Sequence, residues 1–524
     1  MVLAVGISLL AMWYANRGSW SGGFFYDEQW RADFIRSERP WERMLLHDTP
    51  NPLGWVYVMK WITYPFGYNP ALYRVISAGW YLLASGVLCL LVQRVVERVP
   101  VDFPAARLTG GRFSAGTSAG LLSAASVGLL AFSPEVSHYY HYFNNYTFEV
   151  LWVAALLLVF GELGRTRGAP VMLAVLVALS PLVLIGGLFA LPAIGAGALW
   201  WAWRDGTNQR WRRLAVLGAG GAVGAAILAL TWVTLYKTIG SKPSITSWWI
   251  DDGAALGGAN SLAWLLRKAV SQLSVALAGY RVSEQGGVVW LGARAALVAA
   301  ALVGVVFVAR RWVWMVIVPL SAYVLVVLAS AAVHWPMTLE RVNLAFTHVG
   351  LLVVFLGIGR SVVWVARGTP LVMAAGFVAV AVVLWPITWA FGPDTFTRHA
   401  VNDLQPVVNS PAPRNVVLVY HRYLHWYAHD ALINTTHAGK VFDLEWENEE
   451  NPDHLYTDLD TVLDAKALQP GDRVWCAMSY ANGMRNLDAC NIDRPDLELV
   501  SAQRLDHTEI RQFEVVPRPL PPPP

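Results

Sequence analysis

Eleven runs of apolar residues divide most of this chain: 1–15, 71–93, 114–133, 147–162, 171–185, 187–203, 214–236, 287–308, 312–333, 344–360 and 370–391. A bilayer core takes about 20 residues of helix to cross. Inside it every backbone N–H and C=O must be satisfied within the chain, so runs of this kind fold as helices. A content of 56% hydrophobic and 14% charged residues excludes an ordinary water-soluble enzyme. The separation of 171–185 from 187–203 rests on Ser180-Pro181 and Gly186-Gly187, which interrupt an otherwise continuous run. The first run starts at Met1 without a charged leader and reads as an uncleaved first helix, ahead of a signal peptide or a truncated gene start.

Charge then orients the helices, because Lys and Arg in short loops favour the cytoplasmic side. With the N-terminus inside, the inward loops hold Arg94, Arg98, Arg107 and Arg112, then Arg165 and Arg167, then Arg204, Arg210, Arg212 and Arg213, then Arg310, Arg311 and Arg367. Of the 16 carboxylates before Gly392, only Glu97, Asp102, Glu162 and Asp205 fall on that side. The near-neutral total of +3 hides a split: residues 1–392 carry 28 Lys or Arg against 16 Asp or Glu, and residues 393–524 carry 11 against 20. The expected architecture is a polytopic α-helical membrane protein with about 11 transmembrane helices over 1–392 and a cytoplasmic N-terminus. Its outer loops are 16–70, 134–146, 237–286 and 334–343, and an extracytoplasmic α/β domain over 393–516 precedes a disordered Pro-rich tail, 517–524.

Within that domain, 414–421, 440–443 and 473–480 read as strands, 425–433 and 455–468 as helical, and 497–503 with 510–516 as a terminal hairpin. Cys476 and Cys490 lie fourteen apart, compatible with a disulfide outside the cytoplasm or with two free thiols.

The outward loops carry the candidate chemistry. The first opens with Phe25-Tyr26-Asp27-Glu28-Gln29-Trp30, continues as a surface helix from Trp30 to Leu46 with Arg interleaved among apolar residues, and turns at His47-Asp48-Thr49-Pro50-Asn51-Pro52-Leu53-Gly54-Trp55. The second reads Ser133-Pro134-Glu135-Val136-Ser137-His138-Tyr139-Tyr140 and ends in Asn144-Asn145-Tyr146. Between the ninth and tenth runs lies His334-Trp335-Pro336-Met337-Thr338-Leu339-Glu340-Arg341-Val342-Asn343. This order resembles the GT-C glycosyltransferases, specifically their protein-mannosyltransferase-like branch, over residues 1–392. Two departures stand out: Asn-Asn-Tyr where that branch has an Arg-Pro-Tyr-like turn, and Val342 where Tyr is usual.

The resemblance implies a membrane enzyme that moves a sugar from a polyprenyl-phosphate donor to a lipid, polysaccharide or protein acceptor on the outer face, with inversion. Such transfer needs a base for the acceptor hydroxyl and cations for the departing phosphate. Asp27 is the candidate base and Glu28 its neighbour or an acceptor-orienting group; the pair also suits a helix cap. Arg341 is the candidate phosphate ligand, with an ion pair to Glu340 or a headgroup contact as its other reading. His47, His138, His141 and His334, together with Asp27 or Asp48, could hold a divalent metal or bond to sugar hydroxyls. Tyr146 and Trp249, the latter beside Asp251-Asp252, are candidate substrate contacts, and Trp249 equally suits an interfacial belt. No cofactor is required with certainty; the partners expected are the polyprenyl-linked sugar, the bilayer and the acceptor, with no nucleic acid. A transporter or flippase of lipid-linked glycans, or a non-catalytic envelope-assembly protein of the same fold, are the rival readings; span centres almost free of charge and the lack of a visible repeat favour the enzyme.

Overall fold

The computed structural model describes residues 1–16, 31–46 except 33, 51–97 except 68, 115–131, 143–237 except 205 and 207, 250, 255–257, 261–264, 267, 288–336, 340–365, 375–376, 404–420, 432, 440–446, 463–479, 490, 492–504 and 508–517. These residues form two compact units, a helical one and a smaller one built on a β-sheet.

In the helical unit the apolar runs become α1 (Val2–Asn16), α4 (Pro70–Val96), α5 (Ala115–Ala131), α6 (Tyr146–Gly161), α7 (Ala169–Val183), α8 (Leu191–Arg204), α9 (Arg210–Thr231), α10 (Val288–Trp312), α11 (Trp314–Val333) and α12 (Glu340–Val365). Between α1 and α4 lie two shorter helices, α2 (Pro40–Leu46) and α3 (Leu53–Thr63). Among the described residues five helical segments are long and apolar enough to cross a membrane: Ala71–Val96, Gly186–Arg204, Arg210–Leu235, Trp314–Val333 and Asn343–Val362. The run 370–391 lies outside the described residues apart from 375 and 376. The break between α7 and α8 falls at Leu184–Ile185, where a 3-10 turn (Gly186–Ala190) leads into α8, whereas Pro181 is accommodated inside α7. Of the two interruptions seen in the sequence, Ser180-Pro181 stays within a helix and the glycine pair opens the 3-10 turn.

α12 is the centre of the bundle. Leu344, Phe346, Val349, Leu351, Leu352, Phe355 and Leu356 are all buried on it, whereas α9 buries only Leu217, Gly220, Gly224 and Thr231. The predominantly apolar, exposed surface of α9 is what a lipid-facing helix requires. Polar side chains inside the bundle find one another across helices: the Tyr81 hydroxyl meets His348 Nε2 at 3.2 Å and that of Tyr323 meets Thr347 Oγ1 at 3.0 Å. α10 and α12 touch through glycine, since a Cβ on Gly304 would collide with the Val353 carbonyl and one on Gly357 with that of Ala300. Without a hydrophobic force between helices in lipid, such close backbone approach is a principal source of packing energy.

The surface helix expected from Trp30 to Leu46 is not continuous. The chain bends at Ser37–Arg39 and α2 starts afresh at Pro40, because a proline disfavours helical geometry in the residue before it. Ser37 Oγ accepts the Arg39 N–H at 3.2 Å, and Lys60 Nζ on α3 donates to the Ser37 carbonyl at 2.6 Å, holding the bend. α3 is amphipathic: Trp55, Val56 and Met59 are buried while Tyr57 and Trp61 are exposed, as suits a helix lying at a headgroup layer.

The second unit holds a five-stranded sheet in the order β2-β1-β3-β5-β4, from β1 (Arg414–Tyr420), β2 (Val441–Trp446), β3 (Arg473–Ser479), β4 (Leu497–Arg504) and β5 (Thr508–Val515). β1 pairs in parallel with β2 and β3, while β5 is antiparallel to both β3 and β4. The continuous apolar run of β1 follows from burial on both faces. Val417 and Val419 pack with Phe442, Trp475 and Leu432 on one side, and Val416 and Leu418 with Cys476, Leu463 and Phe513 on the other. Cys476 and Cys490 form a disulfide. Arg414, the first residue of the inner strand β1, is bound by Asp443 of β2 at 2.7 Å and by Asp472 at 3.4 Å. The expected helical stretch 425–433 lies outside the described residues except Leu432, and of 455–468 only the part from Leu463 is described.

The α10–α12 contact makes a stability prediction. Gly304→Leu or Gly357→Leu is expected to destabilise the protein by about 2 kcal/mol or more through overpacking, whereas Gly218→Leu on α9, where nothing lies within 4 Å, leaves stability unchanged. Thermal unfolding of the purified variants in one detergent measures both.

Candidate functional site

At one end of the bundle α7 and α11 finish while α6, α8 and α12 begin, and several buried polar groups meet there. One of them is Glu149, the fourth residue of an apolar helix and buried in its first turn. Its Oε1 accepts the Asn145 Nδ2–H at 2.6 Å and its Oε2 accepts the Gly187 N–H at 3.0 Å; the Ile185 and Gly186 backbone groups also donate to it. The carboxylate therefore caps the 3-10 turn that leads into α8, where the positive end of the helix dipole favours an anion. A Cβ on Gly187 would lie 2.9 Å from Leu184 Cδ2 and 3.1 Å from Val153 Cγ2, so the packing at this turn favours glycine.

Asn144 and Asn145, the residues standing in place of the Arg-Pro pair, work as a local cap. Asn144 Oδ1 accepts the Tyr146 N–H at 2.8 Å, and the Asn145 carbonyl accepts the Glu149 N–H at 2.9 Å. Tyr146 is half-buried at the start of α6. Just before this cap, Phe143 packs on Trp55 of α3 and Tyr73 of α4, at ring-centroid distances of 5.5 and 4.8 Å.

The turn between α11 and α12 is held from both ends. His334 closes α11 with φ of 53°, a left-handed conformation uncommon for a residue with a side chain. Its Nδ1 lies 2.7 Å from the Leu256 carbonyl, and the Leu256 N–H donates to Ser330 Oγ at 3.0 Å. A carbonyl only accepts, so Nδ1 carries the proton and Nε2 is left as the acceptor, the arrangement found when an imidazole binds a metal or a hydroxyl. The Trp335 indole N–H reaches Asn343 Oδ1 at 3.4 Å, and Asn343 Nδ2 donates to the Pro336 carbonyl at 3.1 Å. Trp335 meets Phe189 edge to face at 5.2 Å. A chain of contacts thus runs from Glu149 through the Gly187–Phe189 turn and Trp335 to Asn343 on α12.

Glu340 and Arg341 open the first turn of α12, three and two residues before Asn343; their side chains lie outside the described residues. So do Asp27, Glu28, His47, Asp48, His138, His141 and Trp249. Of the sequence candidates, Tyr146, His334 and the backbone carrying Glu340 and Arg341 are brought to this end. Among the described residues no three His, Cys, Asp or Glu side chains gather into a metal site. In the sequence Glu149 is one of the acids outside the inward loops, and its one signal is a carboxylate inside an apolar run, which needs partners wherever it is buried. Gly187, Phe189 and Asn343 carried no local signal.

No protein family and no curated protein matches the sequence. Solved structures do. ArnT from Cupriavidus metallidurans bound to undecaprenyl phosphate aligns with a TM-score of 0.52 at 15% identity, over 98% of this chain and 97% of that one. The apo state of the same protein aligns with a TM-score of 0.51 at the same identity and coverage. The arabinofuranosyltransferase AftD from Mycobacteria aligns at 0.45 and 15% identity, over 98% of this chain and 40% of that one. The chain shares the overall membrane fold of these two ArnT structures.

The Glu149 contacts have a measurable consequence. Glu149→Leu strands several buried donors and is expected to destabilise the protein by about 3 kcal/mol, while Glu149→Gln, which keeps one acceptor, loses about half as much. Asn145→Ala, which leaves the carboxylate one donor short, is expected to cost about 1–2 kcal/mol. Equal unfolding temperatures for wild type and Glu149→Leu would show that the contact network does not hold this end together.

Proposed function

We propose that this protein is a GT-C-type membrane glycosyltransferase that moves a sugar from a polyprenyl-phosphate donor to a lipid, polysaccharide or protein acceptor on the outer face of the membrane. The observation that carries the reading is the alignment over nearly the whole of both chains with a protein whose structure holds undecaprenyl phosphate. The loop motifs add to it, since the same end of the bundle carries Arg341 at the start of α12 and His334 with Nε2 left as an acceptor.

In this reading Asp27 accepts the proton of the acceptor hydroxyl, whose oxygen attacks the anomeric carbon. The bond from that carbon to the phosphate oxygen breaks, the configuration inverts, and polyprenyl phosphate leaves with the electron pair. Glu28 orients the acceptor. Arg341 holds the phosphate in bidentate fashion, assisted by the N-terminal amides of α12. Glu340, His47, Asp48, His138, His141, Tyr146, His334 and Trp249 line the sugar and acceptor positions; imidazoles and carboxylates bond hydroxyls, and an indole face stacks on the sugar ring. A divalent metal, if one is used, would draw on the His and Asp groups of this set.

The test is transfer in vitro from a panel of polyprenyl-phosphate sugars. Asp27→Asn is expected to lower kcat by about 100-fold or more, in line with loss of a general base. Arg341→Ala is expected to lower kcat/KM by a similar factor while leaving the protein folded. Full activity in Asp27→Asn would remove the base assignment, and no transfer from any donor in the presence of acceptor extracts would favour the transporter reading.

A further inference from the structure

The hairpin between α8 and α9, at the end of the bundle away from Glu149, gathers cations on indoles. Residues 200–213 hold four Trp, and four Arg less one Asp leave a charge of +3. The Arg210 guanidinium lies 3.6 Å from the centroid of the Trp203 ring and 5.1 Å from that of Trp211, and these two indoles meet edge to face at 6.2 Å. Arg204 lies over Trp200 at 4.9 Å. All three indoles are exposed, as are Arg204 and Arg212.

Stacking uses the face of a guanidinium and leaves its edge N–H groups to donate. Among the described residues no carboxylate pairs with Arg204, Arg210 or Arg212. Glu162 is taken by Arg94 at 3.5 Å and Arg165 at 3.9 Å, and Glu97 by Arg94 at 3.7 Å. The Arg210 Nε is buried without a hydrogen-bond partner. Asp205 lies outside the described residues, and the charge of +3 already includes it.

The helix that carries these cations also marks what they face. One side of α9 is fixed on α7, where a Cβ on Gly220 would collide with Ala174 and one on Gly224 with the Val177 carbonyl. Its other side runs on from the hairpin as exposed apolar surface, with Val223 and Leu230 open. Guanidinium, then indole, then aliphatic surface is the order of headgroup, glycerol level and acyl chain in a lipid leaflet. A water-borne anion would use the guanidinium groups alone and leave the indoles in water.

We propose that the α8–α9 hairpin is a docking surface for anionic phospholipid, with Arg204, Arg210 and Arg212 on the headgroups and Trp200, Trp203 and Trp211 at the glycerol level. Net charge selects the lipid, so each arginine favours an anionic over a zwitterionic headgroup by about fivefold. Salt screens this preference. The inference stands independently of the transferase reading.

The test uses the full-length protein in nanodiscs of phosphatidylcholine with a minor share of phosphatidylglycerol, and a photoactivatable phosphatidylglycerol mapped by peptide mass spectrometry. Wild type is expected to concentrate label on residues 200–213, with unlabelled phosphatidylglycerol competing about tenfold or more better than phosphatidylcholine. Arg204→Gln and Arg212→Gln, both at exposed positions, should each lower that labelling about fivefold; either reads the surface if the other fails to fold. Salt at about 0.5 M should weaken the labelling of wild type in the same way. Arg167→Gln, an exposed arginine of the α6–α7 turn outside the aromatic cluster, should leave labelling unchanged. The proposal is overturned if label spreads evenly over the lipid-facing helices, if the two lipids compete equally, if Arg204→Gln and Arg212→Gln both label like wild type, or if inorganic phosphate displaces the label as well as phosphatidylglycerol does.

Discussion

Burying a carboxyl group at the edge of an apolar helix is unfavourable by several kcal/mol unless donors replace its lost water, and Glu149 is where this bundle meets that condition. Hydrogen bonds to a charged group are each worth about 1.5–3 kcal/mol, so the Asn145 amide and the amides preceding α8 offset part of the penalty and burial remains the larger effect. The consequence is geometric. Because the donors come from two elements, satisfying the carboxylate ties the start of α6 to the turn before α8. That turn carries Phe189 against Trp335, and Trp335 reaches Asn343. The first turn of α12 inherits its position from the same contacts.

α12 links the two ends of the molecule by different physics. Its middle is apolar and buried, its glycine lies against the α10 backbone, and its hydroxyl and imidazole contacts, Thr347 with Tyr323 and His348 with Tyr81, join it to α11 and α4. A helix so embedded does not shift alone. The C-terminal sheet is held by other means, a core on both faces, a disulfide and the Arg414 ion pairs.

Much of the fold was legible because the responsible signals are local. Apolar runs set the helices, the continuous Val416–Val419 run marked a strand buried on both faces, and the hairpin of β4 and β5 fell where alternation placed it. Pro40 carried a signal that the helical periodicity of Trp30 to Leu46 concealed, and the bend appears there. The candidate site was less legible. Glu149 was visible as an acid in an apolar run, but its partners lie 4 and 38 residues away, and only the second distance brings α8 into the site. Glycines that bring backbones together, such as Gly304 and Gly357, look in one sequence like any other glycine in an apolar run. Asn144-Asn145 looked like the loss of a basic motif; in place, it is a cap that supplies a donor to Glu149.

The central claim is that the end of the bundle carrying Glu149, His334 and the start of α12 receives a polyprenyl phosphate. The most direct measurement is a cryo-EM structure of the protein with undecaprenyl phosphate added. The account predicts phosphate density at the first turn of α12, in contact with Arg341, with the prenyl chain running along lipid-facing helices. Phosphate density at another place, or none at saturating lipid, would contradict it.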